Sequence, residues 1–385
     1  MVAMMEKAAS LAQTIYSRYL VRSYHSIQNP MNPNVLISYL PFTLRWPMNH
    51  RGFSRHQNRR ESVEIVRVFE GLGFNVDVVF FSKRSFLPRN NYRIVFGLEP
   101  NFEKYCIENP DSLKIYYATG SYQRYQNAAE LGRIDDLNSR RGSNLKAVRL
   151  VREHRSAEIA DWIFQIGSRY TVSTYPAELQ EKVLPIGQSS FDFLASDLTK
   201  KNFEKARNRF LWFGGKGAVL KGLDLCLDVF HESSKGDLFI VGNIESDFIR
   251  EFRDELYHEE NIHYLGWLDV SSTRLKEVAD SCGFVVLPSA SEGMPGSIVS
   301  MMRLGLIPIV SKNASYEGFE KIGYILNEID LENLRDAVRW AQSLSPQEIV
   351  DLARDSQEFA RTHFTLDAFR NNFIRALSIA RNSRK

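Results

Sequence analysis

The chain has 385 residues, 44% hydrophobic and 25% charged, with a formal net charge of +3. This is an ordinary globular composition and excludes disordered, collagen-like and disulfide-scaffold classes. The length favours two domains over one, and so weak a positive charge does not by itself mark a nucleic-acid binder.

Residues 4–27 read as an amphipathic helix, with Met4, Ala8, Leu11, Ala12, Ile15 and Tyr19 at helical spacing. The stretch is interrupted by Gln13 and Thr14 and makes a poor signal peptide. Pro30, Asn32 and Pro33 then break the chain. From there strand and helix alternate. Strands are expected at 34–40, 74–81, 92–98, 113–119, 163–167 and 182–187, with a helix at about 55–72 and a long helical region over about 123–161. Residues 196–208 are polar and charged and read as a hinge. The pattern restarts with strands at 209–215, 236–243, 261–267, 283–289 and 306–311, and closes with helices at 330–343, 346–362 and 365–382. Short apolar strands separated by helices imply parallel sheets covered on both faces. The expected fold is therefore α/β, two Rossmann-like doubly wound domains facing a central cleft. The expected division is a helical extension over 1–34, a first domain over 35–200, a second over 201–364, and a final helix over 365–385 crossing back to the first.

Cys106, Cys226 and Cys282 lie far apart and form no C-x-x-C pair. Buried thiols in a reducing compartment are expected. No apolar run reaches the ~18 residues of a membrane-spanning helix. A cytoplasmic protein follows as the expectation, with peripheral contact at the inner face of a membrane left open.

In such sheets ligands bind beyond the carboxyl ends of the strands, which directs attention to the loops there. The strongest pattern is SASEGMPGSIVSMMRLG, residues 289–305. A strand ends before it, Glu292 sits in the loop, and Gly293, Met294, Pro295, Gly296 and Ser297 lead into a helix. Free amides and the positive dipole end at such a helix start suit an anionic or hydroxyl-rich ligand. Glu292 could accept from two adjacent sugar hydroxyls, or simply cap the helix. The second pattern is FGGKGAVLKG, residues 213–222, where Gly215, Lys216 and Lys221 follow a strand. Two lysines beside exposed amides would cradle a diphosphate. Neither a P-loop nor a dinucleotide G-x-G-x-x-G is present.

Taken in order, Gly215-Lys216, Lys221-Gly222, Val241-Gly242-Asn243, Leu265-Gly266-Trp267, Ala279-Asp280, Pro288-Ser289 and Glu292-Gly293-Met294-Pro295 resemble the group 1 glycosyltransferases, family four, of retaining type and GT-B fold. The resemblance covers about residues 205–365. It implies a nucleotide-sugar donor in the second domain, held by Gly215, Gly242, Asn243, Gly266, Trp267, Gly293–Ser297 and Ser300, with Glu292, Lys221 and Lys216 as catalytic groups. A UDP-sugar is favoured over a GDP-sugar, and no further cofactor is implied. Two departures stand out. Ser300 occupies the position of the family's second Glu, so no carboxylate accepts from the ribose hydroxyls there. Lys216 stands where many members carry Arg, losing a bidentate fork on phosphate.

The first-domain loop 41–61 resembles a bacterial subgroup found in surface-polysaccharide synthesis, through His56, Asn58 and Glu61. That likeness makes His50, Arg51, His56, Asn58, Glu61, Thr119 and Ser121 candidate acceptor-side residues, for a glycan or lipid-linked acceptor. The same stretch carries Arg45, Arg51, Arg55, Arg59, Arg60 and Arg67, opposed only by Glu61 and Glu64. This basic run fits an anionic substrate or membrane surface better than nucleic acid, for which no reading module is visible, or it is a solvated face. No D-x-D occurs and no metal-ligand spacing is seen, so a metal-independent transfer is expected. Two other readings share the fold: a degenerate member that binds sugar or nucleotide without turnover, and a nucleotide-sugar epimerase or phosphorylase.

Overall fold

The computed structural model describes residues 23–82, 91–232 and 236–383. The first sheet contains β1 (Ser23–Ser26), β2 (Asn34–Tyr39), β3 (Asn75–Phe80), β4 (Tyr92–Gly97), β5 (Leu113–Ala118), β6 (Trp162–Ile166) and β7 (Val183–Ile186). Their spatial order is β1-β3-β2-β4-β5-β6-β7, and every pairing except β1 with β3 is parallel. The second sheet contains β8 (Arg209–Phe213), β9 (Asp237–Val241), β10 (Ile262–Gly266), β11 (Phe284–Leu287), β12 (Ile307–Ser311) and β13 (Tyr324–Leu326). It is wholly parallel, ordered β10-β9-β8-β11-β12-β13. All four residues of β11 are buried, as are Val35, Leu36 and Ile37 of β2, because helices cover both faces of each sheet. Two Rossmann-like domains result.

The helices of eight residues or more are α1 (Asn58–Gly71), α2 (Asn101–Glu108), α3 (Gln123–Arg141), α4 (Leu223–Glu232), α5 (Thr273–Ser281), α6 (Gly296–Arg303), α7 (Leu331–Ser343), α8 (Pro346–His363) and α9 (Leu366–Asn382). Helix α8 packs on α6 and β12 of the second domain. The chain then crosses back, and α9 packs on α1, β6 and β7 of the first. Phe373 of α9 meets the rings of Phe69, Phe96 and Phe164, with centroids 5.4–5.9 Å apart. Where the chain returns, Ser190 donates to the Phe364 carbonyl from both its amide (2.8 Å) and its hydroxyl (2.6 Å), so the two interdomain crossings are tied together.

Two expectations need correcting. The helix expected over 4–27 falls outside the described residues up to 22, and residues 23–26 are a strand. Ser23 pairs with Val79 and Ser26 with Val76, closing the otherwise open edge of β3. The helical region expected over 123–161 stops at Arg141. Gly142 there adopts φ 66°, a left-handed conformation that ends the helix at little cost to glycine. Residues 142–155 then run back along α3 without helical or strand pairing. Side chains of α3 replace it: Asn138 bonds the Leu145 amide and carbonyl, Glu130 the Val148 and Arg149 amides, Asn127 the Val151 amide and carbonyl, and Gln123 those of His154.

The domains meet through charge as well as through the crossings. Asp224, fully buried on α4, pairs with Arg133 (2.7 Å) and Arg140 (2.6 Å) of α3. Arg140 and Arg141 also reach Asp228, and Arg141 reaches Glu255 at 2.6 Å. Burial raises the Asp224 carboxyl above its usual range despite these arginines.

Candidate functional site

Both sheets direct their strand carboxyl ends at one interdomain cleft. In each, the strand order reverses at its centre, between β2 and β4 and between β8 and β11. Loops diverge at such a point and leave a crevice. A cavity of about 440 Å³ fills it, a size suited to a small organic ligand.

The second-domain wall is Phe213, Gly214 and Gly215 after β8, Lys221, Val270, Glu292, Met294–Ser297 and Ser300. Lys221 Nζ and Glu292 Oε1 form an ion pair, both side chains largely shielded. Ser289 Oγ lies 3.4 Å from the same carboxylate oxygen. Backbone contacts fix the pair: the Lys221 carbonyl accepts from Trp212 Nε1 at 3.2 Å, and the Ala290 amide bonds the Leu220 carbonyl at 2.8 Å. Gly222 allows this approach. Its φ is 67°, and a Cβ there would lie 2.5 Å from the Pro288 carbonyl oxygen. Helix α6 begins at Gly296, and Gly296 and Ser297 line the cavity, so the positive end of its dipole lies there beside Lys221.

The first-domain wall is Tyr39, Arg55, His56, Gln57, Asn58, Glu61, Leu98, Tyr117, Thr119, Ile166, Gln188 and Phe191. Glu61 is 2% exposed. Its Oε1 accepts from the Ser189 amide (2.8 Å) and hydroxyl (2.7 Å). Burial pushes its carboxyl up to about 7, against the pull of the two Ser189 bonds. Tyr39 and Tyr117 stand edge to face, centroids 5.3 Å apart. Both phenols are raised well above their ordinary value, chiefly by burial. Both hydroxyls are buried beside one another, and among the described residues the buried Gln188 side-chain carbonyl has no hydrogen-bond partner.

The structure therefore gathers Glu292, Lys221, Gly215, Met294, Pro295, Gly296, Ser297, Ser300, His56, Asn58, Glu61 and Thr119 around one cavity. Other candidates sit elsewhere. Lys216 is exposed and does not line it. In the same loop the Gly217 and Ala218 amides are bonded to the Glu245 carboxylate. Gly242 packs on the Gly214 carbonyl, supporting the loop from behind. Asn243, Gly266 and Trp267 lie outside the cavity lining, and Trp267 is 61% exposed. Arg51 is exposed outside the lining. His50 stacks on Trp46 at 4.2 Å and accepts from the Gly52 amide at 3.0 Å, capping its own loop. Partial burial and the charges of Arg59 and Arg55 hold its imidazole below the usual range. Gly293 and Ser121 lie at the domain contact: Ser121 Oγ donates to the Glu292 carbonyl at 2.6 Å. Ser300 Oγ donates to the Gly296 carbonyl at 2.6 Å, the back-bond common for helical serine.

Tyr117 belongs to the stretch 116–134, whose tyrosines the sequence offers either for stacking on a sugar ring or for the core, and it lines the cavity. Sequence reasoning missed Tyr39, Gln57, Gln188, Phe191, Val270 and Glu245. Tyr39 was within reach, since it ends a strand. Gln57 comes next to Gly296 across the cleft, a contact with no local signature. Among the described residues, no group of three His, Cys, Asp or Glu side chains could hold a metal ion, and no helix is long and apolar enough to cross a membrane.

Residues 207–343 match the family model described as glycosyl transferases group 1, a stretch within the second domain. No curated protein sequence matches the chain. Solved structures of similar fold include sucrose-phosphate synthase from Thermosynechococcus elongatus, 12% identical with TM-score 0.61 over 92% of this chain and 98% of that one. Anabaena Alr3699/HepE, solved in complex with UDP and glucose, is 13% identical with TM-score 0.56 over 90% and 99%. WaaG, a glycosyltransferase of lipopolysaccharide biosynthesis, is 14% identical with TM-score 0.53 over 89% and 98%. These likenesses show the GT-B fold.

Proposed function

We infer that this chain, group 1 glycosyltransferase in sequence over residues 207–343 and GT-B in fold throughout, transfers a sugar from a nucleotide diphosphate sugar to a hydroxyl acceptor. The observation that carries this is the Lys221–Glu292 pair at the second sheet's switch point, facing the acceptor wall across a single cavity. A donor diphosphate would draw Lys221 from Glu292, and the α6 amides would share the charge. Glu292, released, would accept from the sugar hydroxyls. The proposed reaction is retaining and metal-independent. The anomeric carbon–phosphate oxygen bond breaks, a bond to the acceptor oxygen forms on the same face, and the acceptor proton passes to the leaving diphosphate. On the opposite wall the phenols of Tyr39 and Tyr117 and the Gln188 carbonyl, all lining the cavity, suit an acceptor rich in hydroxyls. Arg55 lines the cavity within an arginine-rich run, Arg45 to Arg67, which favours an anionic lipid-linked glycan, in surface-polysaccharide synthesis at a membrane face, as the acceptor. UDP is the preferred carrier, by analogy with the UDP bound to HepE.

Thermal unfolding with UDP, GDP, ADP and CMP and their sugars tests the reading. A ligand at 100 times its Kd adds about 2.7 kcal/mol to the folded state. The expected result is a raised midpoint with one diphosphate, lost in Lys221→Ala. A second reading, binding without turnover, is favoured by Ser300, whose hydroxyl is committed to Gly296. Turnover that survives in wild type and disappears in Glu292→Gln removes it.

A further inference from the structure

The loop carrying Glu292 is gripped by the other domain. Ser121 Oγ donates to the Glu292 carbonyl at 2.6 Å, and Thr171 Oγ1 to the Gly293 carbonyl at 3.1 Å. Gly293 is wedged between two strand ends of the first sheet. A Cβ on it would lie 2.5 Å from the Ile166 carbonyl oxygen and 2.6 Å from that of Thr119. These contacts come from three separate first-domain segments: residues 119–121, the end of β6, and the turn at 168–171. That turn is rigid in its own right, because Thr171 Oγ1 accepts from the Ser168 amide at 3.2 Å while Ser168 caps the turn. The second domain fixes the base of this loop, through the Ala290 amide on the Leu220 carbonyl and Asn313 on the Ala290 carbonyl, and meets the Glu292 carboxylate through Lys221 and Ser289. Lys221 lines the cavity and can turn to a bound ligand, whereas Ser121 and Thr171 are directed at backbone.

We propose that the first domain completes the donor sugar site, with Ser121 and Thr171 as positioning residues that set the backbone from which Glu292 reaches the sugar. This assignment rests on the donor-site reading above. Neither hydroxyl touches the reacting atoms. Their effect falls on the sugar and spares the diphosphate, which Lys221 and the α6 amides hold from the second domain itself. The donor site is then incomplete until the cleft closes, so a nucleotide sugar favours the closed form more than its free diphosphate does.

Calorimetric titration of the full chain with UDP against UDP-glucose, and GDP against GDP-mannose, provides the test on whichever pair wild type binds. Ser121→Ala and Thr171→Val are expected to bind the diphosphate within about twofold of wild type, but the sugar nucleotide about tenfold more weakly, the scale of one lost hydrogen bond. Thr171→Ser, which keeps the hydroxyl, should stay near wild type. Equal weakening of both ligands, or of neither, overturns the assignment while leaving the donor reading intact. Should wild type bind neither pair, the donor reading falls and this assignment with it. Ser121→Ala serves as the folded control, since it removes no bond within its own domain.

Discussion

Glu61 offers a test that needs no substrate. Its carboxyl is raised from an ordinary 4.5 to about 7 because it is buried, and the two Ser189 bonds recover only part of the cost. Between those values the folded protein binds a proton that the unfolded chain has released. The associated stability is therefore full below pH 4.5 and is lost as pH rises through about 7. From pH 5 to pH 8 the loss amounts to about 2.5 kcal/mol, since each pKa unit corresponds to about 1.36 kcal/mol. Glu61→Gln keeps an oxygen to accept from Ser189 and cannot ionise. The advantage of the variant over wild type should grow by about 2.5 kcal/mol from pH 5 to pH 8, a change in midpoint difference of roughly 5–10 °C. Urea unfolding of both proteins at pH 5, 6, 7 and 8 measures this. The difference between them cancels every other titrating group. Parallel pH profiles would refute the reasoning, because they would mean that Glu61 titrates as a solvated carboxylate.

Further outcomes follow from the packing. Asp224→Asn should lower the unfolding free energy by about 3 kcal/mol, because Arg133 then lies nearly buried with only the half-exposed Asp136 as counter-charge; denaturant titration checks it. Phe373→Ala should cost about 3–5 kcal/mol by opening a cavity among Phe69, Phe96 and Phe164, seen as a lower thermal midpoint with nucleotide binding retained.

Much of the architecture was legible because parallel strands covered on both faces leave unbroken apolar runs, as in FVVL of β11 and IPIVS of β12. β1 escaped notice because SYHS is polar and short, and its place depends on an edge some fifty residues away. The segment 142–155 was misread for a related reason. Its charged, alternating residues suit a surface helix, and only the amide ladder of α3 shows why the backbone has no need of helical bonds. In the site, Glu292 and Lys221 were readable because glycines and a strand end surround each of them. Gln57, Glu245 and Thr171 were not, since each acts on backbone or side chains that the chain brings close only after folding.

The docking of α9 on the first domain also bears on how the molecule is made. A ribosome delivers β2 to β7 early, yet Phe373 arrives only after the whole second domain has been synthesised. Until then Phe69, Phe96 and Phe164 lack the ring that packs against them. The second domain, whose sheet draws on residues 209–326 and whose α8 precedes the return crossing, has all its parts first. Domains usually mature in the order of translation. In this chain the order is reversed: the half begun first is finished last, and its exposed aromatic face is a natural client for a chaperone during that wait.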